Sequence, residues 1–538
     1  MSPSYLSPGV YMEEVDRGTK PIEAVGTAVA AFIGYTELAS DLSRERQLEK
    51  NNGKLLAREQ ELIGRPQAVT NWSQYVQKFG GFIDGAYLPD AVYGYFANGG
   101  GRCYVISIKS MGTVDDAPSA SGPAKVSIPS ADDPNVPLLE VTSKLSGAAG
   151  GRIGVTIQPE NTTDNTFTMI IIVAGKQEKY DNLTTDKGER NVATVVNAQS
   201  QTVTVKVTGK AKLAPAAGDF NLTGAASATS TGSASKTVSL ADYKGNVANR
   251  TGVDGLQQYD DITMISVPDL MASYKAGEMD LKGVQSVQQT IIDHCELVKY
   301  CFAVLDAPPG MMPEDVKNWR LTANYDTTRA ALYYPWIEVP NMVGGKAVSR
   351  LVPPSGHIAG IYARNDGERG VHKAPANEVI RSCTGLEVQI TKGEQDALNP
   401  IGVNCIRAFP GRGIRVWGAR TLSSNASWRY INVRRLFSMV EDSIERGTQW
   451  VVFEPNDPDL WARVRRDVTA FLKLVWRSGA LFGDTPEQAF YVKCDAETNP
   501  PEVRDVGQLI IEVGLCPVKP AEFVIFRVSQ WAGPDAGE

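Results

Sequence analysis

The sequence has few of the side chains that carry most enzymatic and metal chemistry. Only three histidines occur in 538 residues, and His294, His357 and His372 lie far apart. The seven cysteines are scattered and form no CxxC pair. A closed zinc site needs four such ligands, so each histidine is interpreted as a core or surface residue. We therefore predict no metal, no cofactor and no disulfide framework, in a reducing compartment.

Catalytic sequence motifs are missing as well. The chain contains no nucleophile elbow, P-loop, HExxH or EF-hand spacing. The glycine run at 99–101 precedes a predicted strand, whereas a phosphate loop follows a strand and opens a helix. Neighbouring acids at 132–133 and 260–261 lie in predicted loops, where their carboxylates point apart. The sequence thus predicts no catalytic site.

Long apolar runs are absent too. The longest runs, such as 169–174, are much shorter than the ~20 residues that cross a bilayer. The first fifteen residues hold acids and prolines where a signal peptide needs a basic and then an apolar segment. A net charge of −7 argues against a general nucleic-acid binder. We expect a soluble protein with no nucleic-acid partner and no direct membrane insertion.

The chain is long enough for several domains, and its composition changes along its length. Residues 21–110 have a globular pattern. Residues 111–250 are rich in Ser, Thr, Ala and Gly, with alternating strand signals that predict an all-β insertion. Residues 251–400 alternate between helix and strand patterns, which favours an α/β layer with parallel pairing.

An arginine-rich stretch at 404–447 lies in the last third of the chain. Its first part is glycine-interrupted and β-prone, and its second part has helical spacing that ends at Gly447. It contains no acid, histidine or cysteine arranged for chemistry, so we interpret it as a contact surface. Seven arginines precede its first acid: Arg407, Arg412, Arg415, Arg420, Arg429, Arg434 and Arg435.

A second basic feature lies on a helix predicted to begin at Pro458 and to end near Gly479. At 100° per residue its apolar side chains share one face, and four cations share the opposite face. The alternative is an ordinary solvated face, but its only acid, Asp459, is in the first turn, where the helix dipole favours acids. We expect a docking face made by Arg463, Arg466, Lys473 and Arg477.

These stretches resemble one known family. The segments IRAFPGRGIRVWGARTL, WRYINVRRL, GTQWVVFEPND, AFYVKCDAETN and KPAEFVIFRVSQ are similar to the C-terminal domain of contractile tail sheath proteins. Such proteins occur in contractile-tailed phages, R-type pyocins and extracellular contractile injection systems. The resemblance is dense from about 399 to 531. It returns in PGVYMEEV, AAFIGYTE, YFANGGGRCYV and HKAPANEVI, and is absent between about 111 and 250.

The resemblance implies a domain plan and an α/β (α+β) multidomain fold. It implies an N-terminal arm at 1–20, a sheath core at 21–110 plus 251–400, and the β-rich outer insertion at 111–250. A C-terminal domain at 401–520 would face an inner tube, and 521–538 would form a second arm. The basic helix face would then contact the tube.

The resemblance also implies a structural function rather than catalysis. Subunits would form a helical sheath of stacked rings around an inner tube protein, in a metastable extended state whose contraction drives the tube through a target envelope. Further partners would be baseplate and tail-terminator or cap proteins. Assembly would occur in the bacterial cytoplasm, and the particle would be a phage tail or a phage-like device released from the cell.

Two terminal segments are predicted to be strands exchanged between subunits. The N-terminal segment is short and β-prone, and a frayed tail is the alternative interpretation. The C-terminal segment is apolar on both faces, as in a strand buried on both sides. The N-terminal arm comprises Gly9, Val10, Tyr11, Met12, Glu13, Glu14 and Val15. The C-terminal arm comprises Glu522, Phe523, Val524, Ile525, Phe526, Arg527 and Val528.

One other class of protein remains open at this point. An α/β enzyme could hold its active site within residues 251–400, where helices and strands alternate. The strand-like character of both termini favours the sheath, because an enzyme has no need of such segments.

Overall fold

A computed structural model describes residues 21–37, 63–111, 125–131, 133, 136–144, 153–161, 165–173, 176–200, 202–208, 213–222, 238–343 and 346–528. The strands in these residues are β1 Ala30–Thr36, β2 Gln67–Val69, β3 Cys103–Ser110, β4 Lys125–Pro129, β5 Pro137–Ser143, β6 Gly154–Asn161, β7 Thr166–Val173, β8 Lys176–Leu183, β9 Val203–Val207, β10 Gly218–Asn221, β11 Met264–Ser266, β12 Phe302–Asp306, β13 Ala330–Tyr334, β14 Ile337–Val343, β15 Lys346–Val352, β16 Gly385–Leu386, β17 Val403–Phe409, β18 Gly413–Val416, β19 Phe490–Lys493 and β20 Glu512–Leu515.

The α-helices of the same residues are α1 Trp72–Phe79, α2 Leu88–Ala97, α3 Val192–Gln199, α4 Leu240–Lys244, α5 Leu270–Lys275, α6 Leu281–Val298, α7 Pro313–Ala323, α8 Ser355–Arg369, α9 Lys392–Leu398, α10 Ile431–Gly447, α11 Pro458–Arg477, α12 Pro486–Ala489 and α13 Pro501–Asp505. They fall into two compact units. The larger unit contains 28–368 and 375–431, and the smaller contains the described parts of 1–27, 369–374 and 432–538. No helix in the described ranges is long and apolar enough to span a bilayer.

The larger unit is built on an eight-stranded sheet. Its order is β18-β17-β13-β12-β11-β1-β3-β2, and the six inner strands run parallel. All residues of β1, β12 and β13 are buried. Such continuous apolar strands are typical of a parallel sheet covered on both faces. The α/β layer with parallel pairing predicted for 251–400 is therefore confirmed, and β1 and β3 extend it.

The arginine-rich stretch is divided between the two units. Its β-prone half forms β17 and β18, and β17 pairs with β13 through Leu332 opposite Val403. Val403, Cys405 and Ile406 are buried, so this half belongs to the large sheet. The smaller unit resumes only at Asn432. The predicted start of the C-terminal domain at 401 is thus about thirty residues too early.

The insertion forms two antiparallel sheets, β4-β5-β9 and β10-β6-β7-β8, around its own buried cluster. Helix α3 adds to the strands that the sequence predicted. It begins because the Asn191 side chain accepts hydrogen bonds from the amides of Ala193 and Thr194, and Val192 and Val196 are buried one turn apart. The module is therefore β-rich rather than all-β.

The insertion also ends earlier than the predicted residue 250. Tyr243 is fully buried in the larger unit, and its hydroxyl donates to the backbone oxygen of Asp269 at 3.1 Å. The same hydroxyl lies 2.7 Å from the Ser273 hydroxyl. A buried tyrosine that satisfies its hydroxyl in this way belongs to the core. The core sequence has therefore resumed by Tyr243.

The smaller unit packs the apolar faces of α10 and α11 against a two-stranded sheet. Helix α11 begins at Pro458, with the Asp457 side chain accepting from the Leu460 amide at 2.8 Å. Val464 and Val468 are buried on its inner face. The predicted helix is confirmed. The preceding residues 449–453 have a β-prone sequence that predicts a strand, and this prediction is wrong. Residues Gln449–Val451 form a 3-10 turn, because the Val451 amide donates to the Thr448 oxygen three residues earlier. Residues 508–513 are also β-prone in sequence, but the strand in this region, β20, begins only at Glu512.

Helices α2 and α8 of the larger unit approach each other closely. A side-chain carbon added at Gly356 would lie 2.3 Å from the Ala91 Cα, and one added at Gly360 would lie 2.5 Å from the Tyr95 oxygen. Real Cβ atoms do not approach backbone so closely. Glycine is therefore required on this face of α8, whereas Gly367 in the same helix faces open space.

We predict opposite effects for two glycine substitutions in α8. Gly356→Ala should destabilise the chain by about 1–3 kcal/mol, because the methyl group forces the helices apart. Gly367→Ala should stabilise it by about 0.5–1 kcal/mol, because alanine favours helix and meets no neighbour. Thermal unfolding of the two variants tests this. Equal effects would show that the helices can separate without cost.

Candidate assembly surfaces

The four predicted docking cations lie together on the exposed side of α11. Arg463, Arg466, Lys473 and Arg477 are all exposed, whereas the opposite face of the helix is buried. Arg463 lies 3.4 Å from a Glu454 carboxylate oxygen. Arg466 lies 3.0 Å from Asp467, a buried acid at the edge of the apolar face. Such solvated pairs are worth about 0–1 kcal/mol each, so the face remains available to a partner.

The preceding arginine-rich stretch is not one continuous contact surface. Arg420, Arg434 and Arg435 are buried, and each bonds within its own unit. Arg435 donates to the Thr27 oxygen at 2.8 Å, and Arg434 donates to the Glu441 carboxylate at 2.8 Å. These three guanidinium groups hold loops and helices in place. The prediction of a contact surface is therefore wrong for these three arginines. A helix or strand buries the face that meets the core, even where that face carries charged side chains.

The predicted C-terminal arm forms no strand with the rest of the described chain. Residues 523–528 belong to no helix or strand and are exposed, and the exposed fraction of Phe526 is 85%. Five apolar side chains, namely Phe523, Val524, Ile525, Phe526 and Val528, face solvent here. A contiguous exposed run of apolar side chains typically marks a site where another protein binds. The predicted N-terminal arm, 9–15, lies outside the described residues.

The sheet of the smaller unit contains only two strands, β19 and β20, in the described residues. They are antiparallel, with Phe490 opposite Leu515 and Lys493 opposite Glu512. Each strand therefore has one edge without a strand partner in the described chain. A two-stranded sheet is marginal alone, and its open edges can accept further strands. The sequence predicts exchanged strands that complete a sheet in a neighbouring subunit's C-terminal domain, and this exchange stays a prediction.

The crevice in which α/β enzymes bind ligands lies at the carboxyl ends of parallel strands, where the strand order reverses. Here β1 pairs with β11 on one side and with β3 on the other. The Asp269 carboxylate, fully buried, occupies this position. One of its oxygens accepts from the amides of Tyr35 at 2.5 Å and Leu88 at 3.2 Å, and the other accepts from Tyr87. It approaches β1 at Gly34, where an added side-chain carbon would lie 2.3 Å from its oxygen.

Asp306, at the end of β12, has a similar role beside α8. Its carboxylate accepts from the Ser355 amide at 2.9 Å and from the Ser355 hydroxyl at 2.5 Å. Asp269 and Asp306 thus place the protein's own carboxylates at the first residues of α2 and α8, where an enzyme would hold a substrate anion. Burial raises the pKa of each carboxyl to about 7. The predicted alternative, an active site in 251–400, gains no support from this closed crevice.

Two of the three histidines are buried. His294 and His357 are buried, and burial lowers the pKa of each to about 4, so both are neutral at pH 7. Within the described ranges no three side chains of His, Cys, Asp or Glu come together as a metal site would require.

Two family descriptions match the chain. They are the phage tail sheath protein central domain at 248–422 and the phage tail sheath C-terminal domain at 423–530, which together span more than half of the 538 residues. The tail sheath protein of Vibrio phage KVP40 is 25% identical over 399 residues, covering 69% of this chain and 55% of that protein. A putative prophage major tail sheath protein of Pseudomonas aeruginosa is 28% identical over 238 residues, covering 43% and 58%. The matches thus span about half the length of these relatives.

Solved structures with the same fold come from contractile particles. The anti-feeding prophage helical sheath in the contracted state gives a TM-score of 0.57 at 24% identity, covering 98% of this chain and 100% of that chain. The sheath complex of an extracellular contractile injection system, also contracted, gives 0.56 at 23% identity, covering 99% of both. A chain of the anti-feeding prophage baseplate gives 0.53 at 24% identity, covering 98% and 99%. By its family, the chain belongs to the phage tail sheath proteins, a family of structural proteins, and it shares the fold of sheath subunits from contractile particles.

Asp306 should make stability depend on pH. Its folded pKa of about 7 lies above an unfolded value of about 3.9, so the folded state loses stability as pH rises between them. We expect Asp306→Asn to reduce the fall in Tm from pH 5 to pH 8 by about 2 °C or more. Asp326→Asn is the control, because hydrogen bonds from Ser424 lower the pKa of that exposed carboxyl and it titrates below this range. Equal pH dependence in both variants would contradict the assignment.

Proposed function

We propose that this chain is the structural subunit of a contractile sheath. Copies polymerise around an inner tube as a helix of stacked rings in a metastable extended state, and contraction drives the tube through a target envelope. The proposal rests on two features that occur together in the smaller unit. An exposed apolar segment at 523–528 has no strand partner in the described chain, and the β19–β20 sheet has two open edges.

Strand exchange between subunits would satisfy both features at once. A seven-residue arm can form about four to six ladder hydrogen bonds, each worth roughly 0.5–1.5 kcal/mol net. Burial of Val524, Phe526 and Val528 adds about 1.5–3 kcal/mol for each side chain. Ordering seven residues costs on the order of 7–14 kcal/mol, which offsets most of this gain. A single arm is therefore marginal, and repetition between neighbours that are already close makes the polymer hold.

Exchanged strands also suit contraction. A sheath needs two packings of one folded subunit, with links that survive the change between them. Backbone ladders can stay paired while the segments that lead to them bend. The free energy is stored in the assembly, so no nucleotide or other cofactor is needed. The larger unit, with its buried parallel sheet, would move as a rigid body.

The proposal extends to partners and to location. The basic face of α11 would contact the inner tube, and the β-rich insertion would lie on the outside of the particle. Baseplate and tail-terminator or cap proteins would bind the two ends of the sheath. Assembly would take place in the bacterial cytoplasm. The finished particle would be a phage tail or a phage-like device that acts outside the cell.

The basic face should be needed for extended assembly around the tube. Lys473→Glu together with Arg477→Glu should leave the chain folded but prevent extended sheaths from forming on inner tubes, because the attraction becomes repulsion. Lys282→Glu with Lys392→Glu is the matched control. Both of these exposed lysines lie in the first turn of a helix, where an acid is favourable. Electron microscopy of the assembly reactions provides the measurement, and normal extended sheaths from the first variant would reject the role.

The arms should be needed for long sheaths but not for folding. Deletion of residues 1–18, or Val524→Pro, should give a folded soluble subunit that forms no long sheath, because each change removes ladder hydrogen bonds. Val524→Thr keeps the backbone donor and should assemble much better than the proline variant. Circular dichroism monitors folding and negative-stain microscopy monitors sheath length. Normal sheaths from the deletion would refute strand exchange.

A further inference from the structure

A turn between α10 and α11 holds a phenylalanine entirely outside the protein. The exposed fraction of Phe453 is 103%, and that of the preceding Val452 is 65%. Phenylalanine is normally among the more buried residues. A fully exposed phenylalanine side chain adds no hydrophobic stabilisation to the folded subunit. The β-prone sequence at 449–453 gives no sign of this exposure.

The backbone of this turn is one that phenylalanine disfavours. The Glu454 amide donates to the Val451 oxygen at 3.1 Å, and Val452 has φ −65° and ψ 129°. Phe453 has φ +67°. These values describe a type II turn, whose third position requires positive φ and is normally glycine or asparagine. A bulky residue with positive φ is a strained outlier, and such strain persists mainly at functional positions.

The exposed ring borders the basic face of α11. Glu454, the next residue, is 3.4 Å from the Arg463 guanidinium, and the same guanidinium lies over the Trp450 ring at 5.4 Å from its centre. The turn and the start of the basic face thus form one surface. It presents an apolar ring beside the exposed cations Arg463, Arg466, Lys473 and Arg477. A partner for this surface has acidic groups around an apolar hollow.

We infer that Phe453 is an aromatic anchor that inserts into an acidic-rimmed hollow on the inner tube. The inference rests on the proposed function and adds a specific residue to it. Buried aromatic anchors contribute much of the affinity at protein interfaces, whereas solvated charge pairs at the rim contribute little. The type II turn fixes the ring in its projecting position before contact, so little conformational entropy is lost on docking.

Phe453→Asn separates an anchor from a structural residue. Asparagine accepts positive φ, so the Tm of the full chain should stay unchanged or rise, while binding should weaken about tenfold. Binding is measured by co-sedimentation of the full chain with inner tubes purified from the same kind of particle. Phe482→Asn is the control, because Phe482 is also an exposed phenylalanine of the smaller unit but has no positive φ. It should bind as the unaltered chain does.

Several outcomes would overturn the anchor. A clear fall in Tm for Phe453→Asn would assign the ring a structural role, and unchanged tube binding would remove its role in docking. An equal loss from Phe482→Asn would show a general effect of exposed aromatic surface. Impaired polymerisation of Phe453→Asn without tubes would place the ring between sheath subunits instead. If the unaltered chain neither binds tubes nor forms sheaths, the proposed function itself fails, which the other outcomes leave intact.

Discussion

Burial of the parallel sheet on both faces is the constraint on which the larger unit depends. Strands covered on both sides must be apolar along their whole length, as β12 and β13 are. Any polar group at the strand ends must then find partners within the protein. Asp269 and Asp306 do so by accepting from backbone amides at the starts of α2 and α8. The crevice that serves ligand binding in α/β enzymes is thereby filled by the protein itself.

The larger unit is also closely packed. Helices α2 and α8 approach each other at Gly356 and Gly360, where an added side-chain carbon would lie 2.3 and 2.5 Å from backbone atoms of α2. A subunit that changes its neighbours without changing its own fold needs such a core. Movement would then be concentrated in the chain segments that connect one subunit to the next.

The smaller unit has the opposite character. Its two-stranded sheet, its exposed apolar segment at 523–528 and the strained turn at Phe453 are each incomplete in a single chain. An isolated enzyme would have little use for these features, whereas a polymer can satisfy all of them through contacts between copies and with other proteins. In the proposed assembly, the basic face of α11 would add a long-range attraction, which is weak for each ion pair and therefore reversible.

The sequence alone determined much of this molecule. Helix–strand alternation in 251–400 predicted the parallel α/β layer, and the spacing of Leu460, Val464 and Val468 predicted α11 with its basic opposite face. The family followed from separated segments of characteristic sequence. These properties are local or periodic, so they can be read from neighbouring residues.

Only the tertiary structure decided which charged side chains are exposed. Arg434, Arg435 and Arg463 are all arginines of amphipathic helices. Arg434 and Arg435 are buried and Arg463 is exposed, because burial depends on which helix face meets the core. It also revealed Tyr243 as a core residue, the two open edges of the β19–β20 sheet, and Phe453 at positive φ. Each of these depends on contacts or backbone angles that residue types do not specify.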